Sequence, residues 1–216
     1  MKKPLNKNIE VDVTRGGMVE SQHLVSAVLS KSDGTAEKVW GDPEMPVYPR
    51  SAIKPLQSIA LASSGAVEKF NLSSKEIALS CASHGGETNH VELVKSWLSK
   101  LGLKETDLEC GSHWPSHIES THQMIARGLH PGSIHNNCSG KHMGFLTLAL
   151  QFGYPHKNYI KQDHPVQQNV QKVLEETCDV DLSQSQPAID GCSVPTWAIP
   201  LTNLAMGLAR WGSGTL

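Results

Sequence analysis

The rhythm of apolar and polar positions changes about fifty residues into the chain. Ile9-Glu10-Val11-Asp12-Val13 alternates, and so does part of the stretch from His23 to Ser30. Alternation sends every second side chain to one face of a strand, so both stretches predict half-buried β-structure. Ser32-Asp33-Gly34-Thr35 is a turn signal, and Glu37 to Trp40 can return as the partner strand. Connections this short permit only antiparallel neighbours, so the region predicts a meander.

Helical patterns follow. Lys54 to Ser64 is apolar and stops at Gly65. Ser73-Ser74-Lys75-Glu76 puts a hydroxyl three residues before an acid, a capping-box pattern, ahead of the short apolar run Ile77 to Ser83. Thr88 can cap a helix reaching Lys100, with Val91, Leu93, Val94, Trp97 and Leu98 near helical spacing and Gly102 beyond its end. Further helices are expected over residues 118–127 and 144–152, each stopped by a glycine. Asp163 can cap another, with Pro165 in its first turn and its end near Glu176, and Pro200 opens a last one over residues 201–211. Strands first and helices after predict an α+β fold. No repeat or linker divides residues 1–216, which read as a single catalytic-type domain. The meander supplies few strands for such a sheet, so C-terminal strands are expected to be missing from this chain.

Composition narrows the classes. Hydrophobic residues make up 38% and charged ones 19% of 216 residues, which fits a globular chain able to bury a core. Net charge is -2 with no block of like charge, so no basic face is offered to nucleic acid. No uncharged apolar run approaches the ~20 residues of a membrane span, and the basic start Met1-Lys2-Lys3 has no apolar segment behind it, unlike a secretory signal. The five cysteines lack framework spacing, which predicts free thiols and a cytoplasmic location.

Four short stretches carry candidate chemistry. In Arg50-Ser51-Ala52-Ile53-Lys54-Pro55 the proline disfavours a regular α-helical turn. A 3₁₀ turn would eclipse residues three apart and bring the Ser51 hydroxyl and the Lys54 amine to one face. Burial and the nearby Arg50 would lower the lysine pKa and make it a base for the serine; the spacing alone equally fits chance. Ser80 to Glu87 (S-C-A-S-H-G-G-E) leads small residues into a Gly-Gly turn. Ser83 can serve there as nucleophile or proton relay, His84 as ligand or packing residue, and backbone N–H groups near Ser51 or Gly85 as oxyanion donors. Asn136 to Gly144 (N-N-C-S-G-K-H-M-G) places Cys138 and Lys141 three apart before an apolar helix, and Asp190-Gly191-Cys192 adds a second thiol. Cys138 and Cys192 can share a soft metal or be two buried thiols. Cys81, Cys110 and Cys178 read as buried thiols, and His113, His117 and His122 as packing or surface residues.

Taken in order, R-S-A-I-K-P-L-Q, S-C-A-S-H-G-G-E, N-N-C-S-G-K-H-M-G-F-L and D-G-C-S-V-P-T-W-A-I-P-L resemble the asparaginase II family of the rhizobial, Ser-Lys type, from about Val13 to Trp211. The resemblance implies a fold like that of serine β-lactamases and glutaminases, an antiparallel sheet with a helical subdomain. It implies a nucleophile–base pair at Ser51 and Lys54, a second catalytic serine at Ser83, and zinc held by Cys138, Lys141 and Cys192. Arg50, His142 and Asp190 fall where the family lines its substrate pocket. The implied reaction is hydrolysis of L-asparagine to L-aspartate and ammonia, by a homodimer acting on a small amino-acid amide. In the family the second serine is paired with a lysine from a C-terminal segment that no residue here represents. Two other readings stay open: a truncated, non-catalytic zinc- or ligand-binding homologue, and a β-lactamase-like hydrolase.

Overall fold

The computed structural model describes residues 7–215. In chain order it contains strands β1 (Ile9–Arg15), β2 (Met18–Val25), β3 (Ala27–Ser30), β4 (Ala36–Trp40) and β5 (Pro46–Val47), then helices α1 (Lys54–Ala62), α2 (Ala66–Lys69), α3 (Ser74–Ser80), α4 (Thr88–Lys100), α5 (Ile118–Ala126), α6 (Ser139–Phe152) and α7 (Pro165–Cys178), short strands β6 (Ala188–Ile189), β7 (Pro195–Thr196) and β8 (Ile199–Pro200), and helix α8 (Leu201–Ser213). Among the described residues the strands form four two-stranded antiparallel sheets, and helix outweighs strand. The fold class is α+β.

The chain divides into two compact units. One gathers the described residues up to Pro49, Leu174–Ser185 and the stretch from Ala198 onward. Its first hairpin, β1–β2, pairs Ile9 with Val25 through Arg15 with Met18, and the ladder shifts between Val13 and Thr14. Gly16 and Gly17 make its turn, both at positive φ (56° and 84°), the backbone that matches strand twist in a two-residue loop. A second hairpin pairs β3 with β4. The meander expected from the sequence is thus split into separate hairpins, and Ser26, held by the Asn8 side chain, lies between them. Helix α8 packs along β3, and its start is fixed by pairing of β8 with β5, Val47 opposite Ile199.

The second unit comprises Arg50–Val173 and Gln186–Trp197. It is built around α6, whose residues Ser139 to Ala149 are all buried. Helices α1, α2, α3 and α4 pack against it, and Leu56, Val94, Trp97, Met143, Leu146 and Leu148 fill the core. A helix enclosed on all sides shows no amphipathic stripe, so α6 begins five residues before the position its apolar run suggests. Gly140 permits a close approach: a Cβ there would collide with the backbone carbonyl oxygen of Leu79 on α3.

Two helix starts bear on the site. The capping box forms as expected: Ser73 Oγ accepts the Glu76 N–H and Glu76 accepts the Ser73 N–H. Glu76 also pairs with Lys100 Nζ at 2.7 Å. Helix α7 differs, because its cap is His164, whose Nδ1 accepts the Val166 N–H, rather than Asp163.

Candidate functional site

All nine residues expected to form a site lie in the second unit. Residues Arg50–Ile53 form a 3₁₀ turn, as the proline predicts, and Lys54 opens α1 directly after it. Arg50 adopts φ 51°, an uncommon backbone for a non-glycine residue, and Ser51 and Ala52 are exposed. The chain therefore turns from the surface to the interior within four residues, and Lys54 is only 1% exposed.

Lys54 Nζ donates to the carbonyl of Ala82 at 2.9 Å and to Ser83 Oγ at 2.6 Å. The hydroxyl in contact with the amine is thus that of Ser83, which leaves the end of α3 on an exposed loop, while Ser51 stands on the turn before the lysine. Burial drives the Lys54 amine below the ordinary lysine range, and the nearby Lys141 charge adds to this; the sulfurs of Cys138 and Cys192 oppose it. A buried amine holding a hydroxyl is the arrangement a general base needs.

Behind Lys54 lies a sulfur–nitrogen cluster. Cys138 precedes the first turn of α6, where Asn136 Oδ1 accepts its N–H at 2.8 Å and the Asn136 amide donates to Cys110 O. One turn on, Lys141 Nζ donates to Cys192 Sγ at 3.0 Å. The β6–β7 turn delivers Cys192: the Asp190 N–H bonds to Val194 O, and Ser193 takes φ 72°. Hydrogen bonding with Cys138 is the main cause holding the Cys192 thiol far below the usual range, and the same contact, with burial, pushes Cys138 up. His142 is fully buried, 0% exposed, with Nδ1 at 2.7 Å from the Tyr159 hydroxyl. Burial lowers its pKa and keeps the ring neutral. At the surface of the same turn Asp190 Oδ1 meets Arg50 Nη2 at 3.0 Å.

Two sequence expectations change. The Gly85 N–H is no oxyanion donor, because it already bonds to Glu87 Oε2 at 2.9 Å, and the Gly86 N–H bonds to His84 Nδ1. His142 is enclosed, with Phe145 and Tyr159 against its ring, and has no open face toward a ligand.

His84, Glu87 and His90 bring three possible ligand atoms within 4.8 Å of one another. The donors are spent, however. Ser139 gives its proton to Ile134 O, so His84 Nε2–H donates to Ser139 Oγ at 2.8 Å, while Nδ1 accepts the Gly86 N–H. With both His84 nitrogens committed, this cluster organises the loop after Ser83. Sequence reasoning assigned no role to Tyr159, Asn136 or Ser139: their contacts with His142, Cys110 and His84 span 17, 26 and 55 positions, and no local spacing marks them.

The described helices include none long and apolar enough to cross a membrane. No curated protein matches the chain. The family model described as L-asparaginase II matches residues 11–215, nearly the whole sequence. The chain therefore belongs to the L-asparaginase II family, an asparaginase-like group of amidohydrolases acting on small-molecule amides.

Proposed function

We propose that this family member hydrolyses L-asparagine to L-aspartate and ammonia through an acyl-enzyme formed by serine and lysine. The observation that carries the reading is Lys54: a buried amine with a depressed pKa, 2.6 Å from a hydroxyl that opens to the surface. A neutral amine has two N–H groups and one lone pair. Ala82 O must receive an N–H, which leaves the lone pair able to accept a hydroxyl proton.

Ser51 Oγ attacks the carboxamide carbon, and its proton passes to Lys54 by way of Ser83. The C–N bond then breaks, and ammonia leaves with that proton. Water hydrolyses the resulting aspartyl ester and regenerates the serine. Arg50 offers a cation to the substrate α-carboxylate and Asp190 an anion to its ammonium; free of substrate they satisfy each other. Trapping with asparagine and peptide mass spectrometry tests the scheme. A mass increase on the Ser51 peptide, lost in Ser51→Ala, is expected, with Lys54→Met lowering ammonia release by about 10²–10⁴-fold. Near-normal ammonia release by both Ser51→Ala and Ser83→Ala refutes it.

The direct Lys54–Ser83 contact favours a second reading in which the two serines exchange roles. The adduct would then sit on the Ser83 peptide.

We further propose that Cys138, Lys141 and Cys192 hold zinc. The donor set fits: two sulfurs, one of them with its pKa held down, and an amine 3.0 Å from it, all buried. Bound zinc would supply positive charge beside Lys54. The residues themselves orient the β6–β7 turn that carries Asp190. Elemental analysis should find zinc in the wild type and less in Cys138→Ser; equal content in both would remove the site.

A further inference from the structure

Helices α4 and α5 leave the same turn. The His117 N–H donates to Gly85 O and Glu87 O accepts the first bonds of α4, so both helices start beside Gly85 and Gly86. Between them lies a cleft of about 140 Å³ with Gly86 in its wall. Its floor is apolar: Val91 on α4 and Met124 on α5 line it and are buried. That volume lies well below the ~300–1,000 Å³ of pockets for drug-sized ligands and suits a molecule with a few carbons.

The polar lining is unbalanced toward positive charge. Glu92 and Lys95 both line the cleft and neutralise each other at 2.8 Å. Arg127, directly after α5, lines it too, and its guanidinium has no ion pair or hydrogen bond among the described residues. His135 adds a neutral donor. Its Nδ1 accepts the Gly132 N–H at 3.0 Å, so the uncharged ring carries its hydrogen on Nε2, which has no acceptor among the described residues. Burial lowers the His135 pKa and favours that uncharged ring. One unpaired guanidinium and one imidazole N–H thus stand over an apolar floor. A carboxylate meets a guanidinium through two parallel bonds, and its carbon chain covers Val91 and Met124. An inorganic anion would gain nothing from those two side chains.

We propose that the cleft between α4 and α5 is a binding site for a small organic carboxylate, held by Arg127 and His135 Nε2–H with its carbon skeleton on Val91 and Met124. Gln123, one turn before Arg127, also lines the cleft and offers an amide to a second polar group of the same ligand. The wall at Gly86 ties the site to the loop that carries Ser83, because the Gly86 N–H bonds to His84 Nδ1 and the His84 N–H to Asn137 O. The cleft shares no residue with the serine–lysine scheme or with the zinc ligands proposed above, so it is tested apart from both.

The test is a titration of the whole ¹⁵N-labelled chain with succinate, followed by nuclear magnetic resonance. Butanediol serves as the uncharged counterpart and inorganic phosphate as the anion without carbon. Succinate should move the Arg127 Nε–H and Gln123 side-chain signals and saturate with a Kd on the order of 1 mM. Arg127→Gln should weaken binding about 10-fold or more, and Arg127→Lys, which keeps the charge but loses the fork, by less. Arg50→Gln should leave the binding as it is. Failure to saturate by about 10 mM in the wild type overturns the proposal, and that result needs no variant to fold. Phosphate binding as tightly as succinate overturns it, as does butanediol moving the same signals. Binding that is lost in Arg50→Gln and kept in Arg127→Gln places the carboxylate elsewhere and overturns it as well.

Discussion

Acidification should weaken the fold through one histidine beside the candidate site. His84 is 4% exposed, and its Nδ1 accepts the Gly86 N–H. Protonation would put a second hydrogen on Nδ1, facing that N–H donor in a buried space. Burial is the main cause lowering the His84 pKa from 6.5 to about 4; His90 adds to it and Glu87 opposes it. Between those two values the unfolded chain binds a proton that the folded chain does not. Unfolding free energy therefore falls as pH drops below 6.5 and levels off below about 4. At about 1.4 kcal/mol per unit the full loss is about 3 kcal/mol, a large share of a typical stability. Urea denaturation across this range, in wild type and in His84→Gln, isolates the contribution. Glutamine cannot titrate but can keep the amide donor toward Ser139. The wild type should lose about 3 kcal/mol more than the variant on going from neutral pH to pH 4. Equal pH slopes for the two proteins, or a His84 titration midpoint near 6.5, would refute the reasoning.

Gly140→Ala should cost about 1–3 kcal/mol in urea denaturation, because the Leu79 carbonyl it strikes is backbone and cannot swing aside; unchanged stability would show that α3 and α6 can part freely. Lys100→Met leaves the Glu76 carboxylate buried with only its Ser73 bonds and should cost about 2 kcal/mol, read from the same assay. Leu146→Ala opens a cavity at the centre of α6 and should cost about 2–5 kcal/mol, seen as a lowered Tm in calorimetry.

Much of the helical unit was legible because its signals are local. The capping box at Ser73 and Glu76 and the glycine stops each occupy a few neighbouring residues, and α4 begins one residue earlier than a Thr88 cap would have it, with Glu87 at the cap position. What escaped was non-local. The pairing of Val47 with Ile199 joins residues on two-residue strands that no window of sequence can connect. Helix α6 hides its first turn because Ser139, Lys141 and His142 are polar yet buried, and pattern reading assigns such residues to a loop. The same holds for the site. The residues near Cys138 and Cys192 announce themselves by type and spacing, whereas the Lys54–Ser83 contact spans 29 positions and Tyr159 reaches His142 across 17. Turn chemistry predicts where a chain bends, but which hydroxyl a lysine finds is decided by how α1 and α3 lean on a common neighbour.

The crowding of Lys54, Cys138 and Cys192 into one enclosed volume makes their acidity a collective property. Protons there are held in common, so a rate profile against pH would report constants of the ensemble and not of any single amine or thiol. Alkylating either sulfur would then retune a base it does not touch covalently.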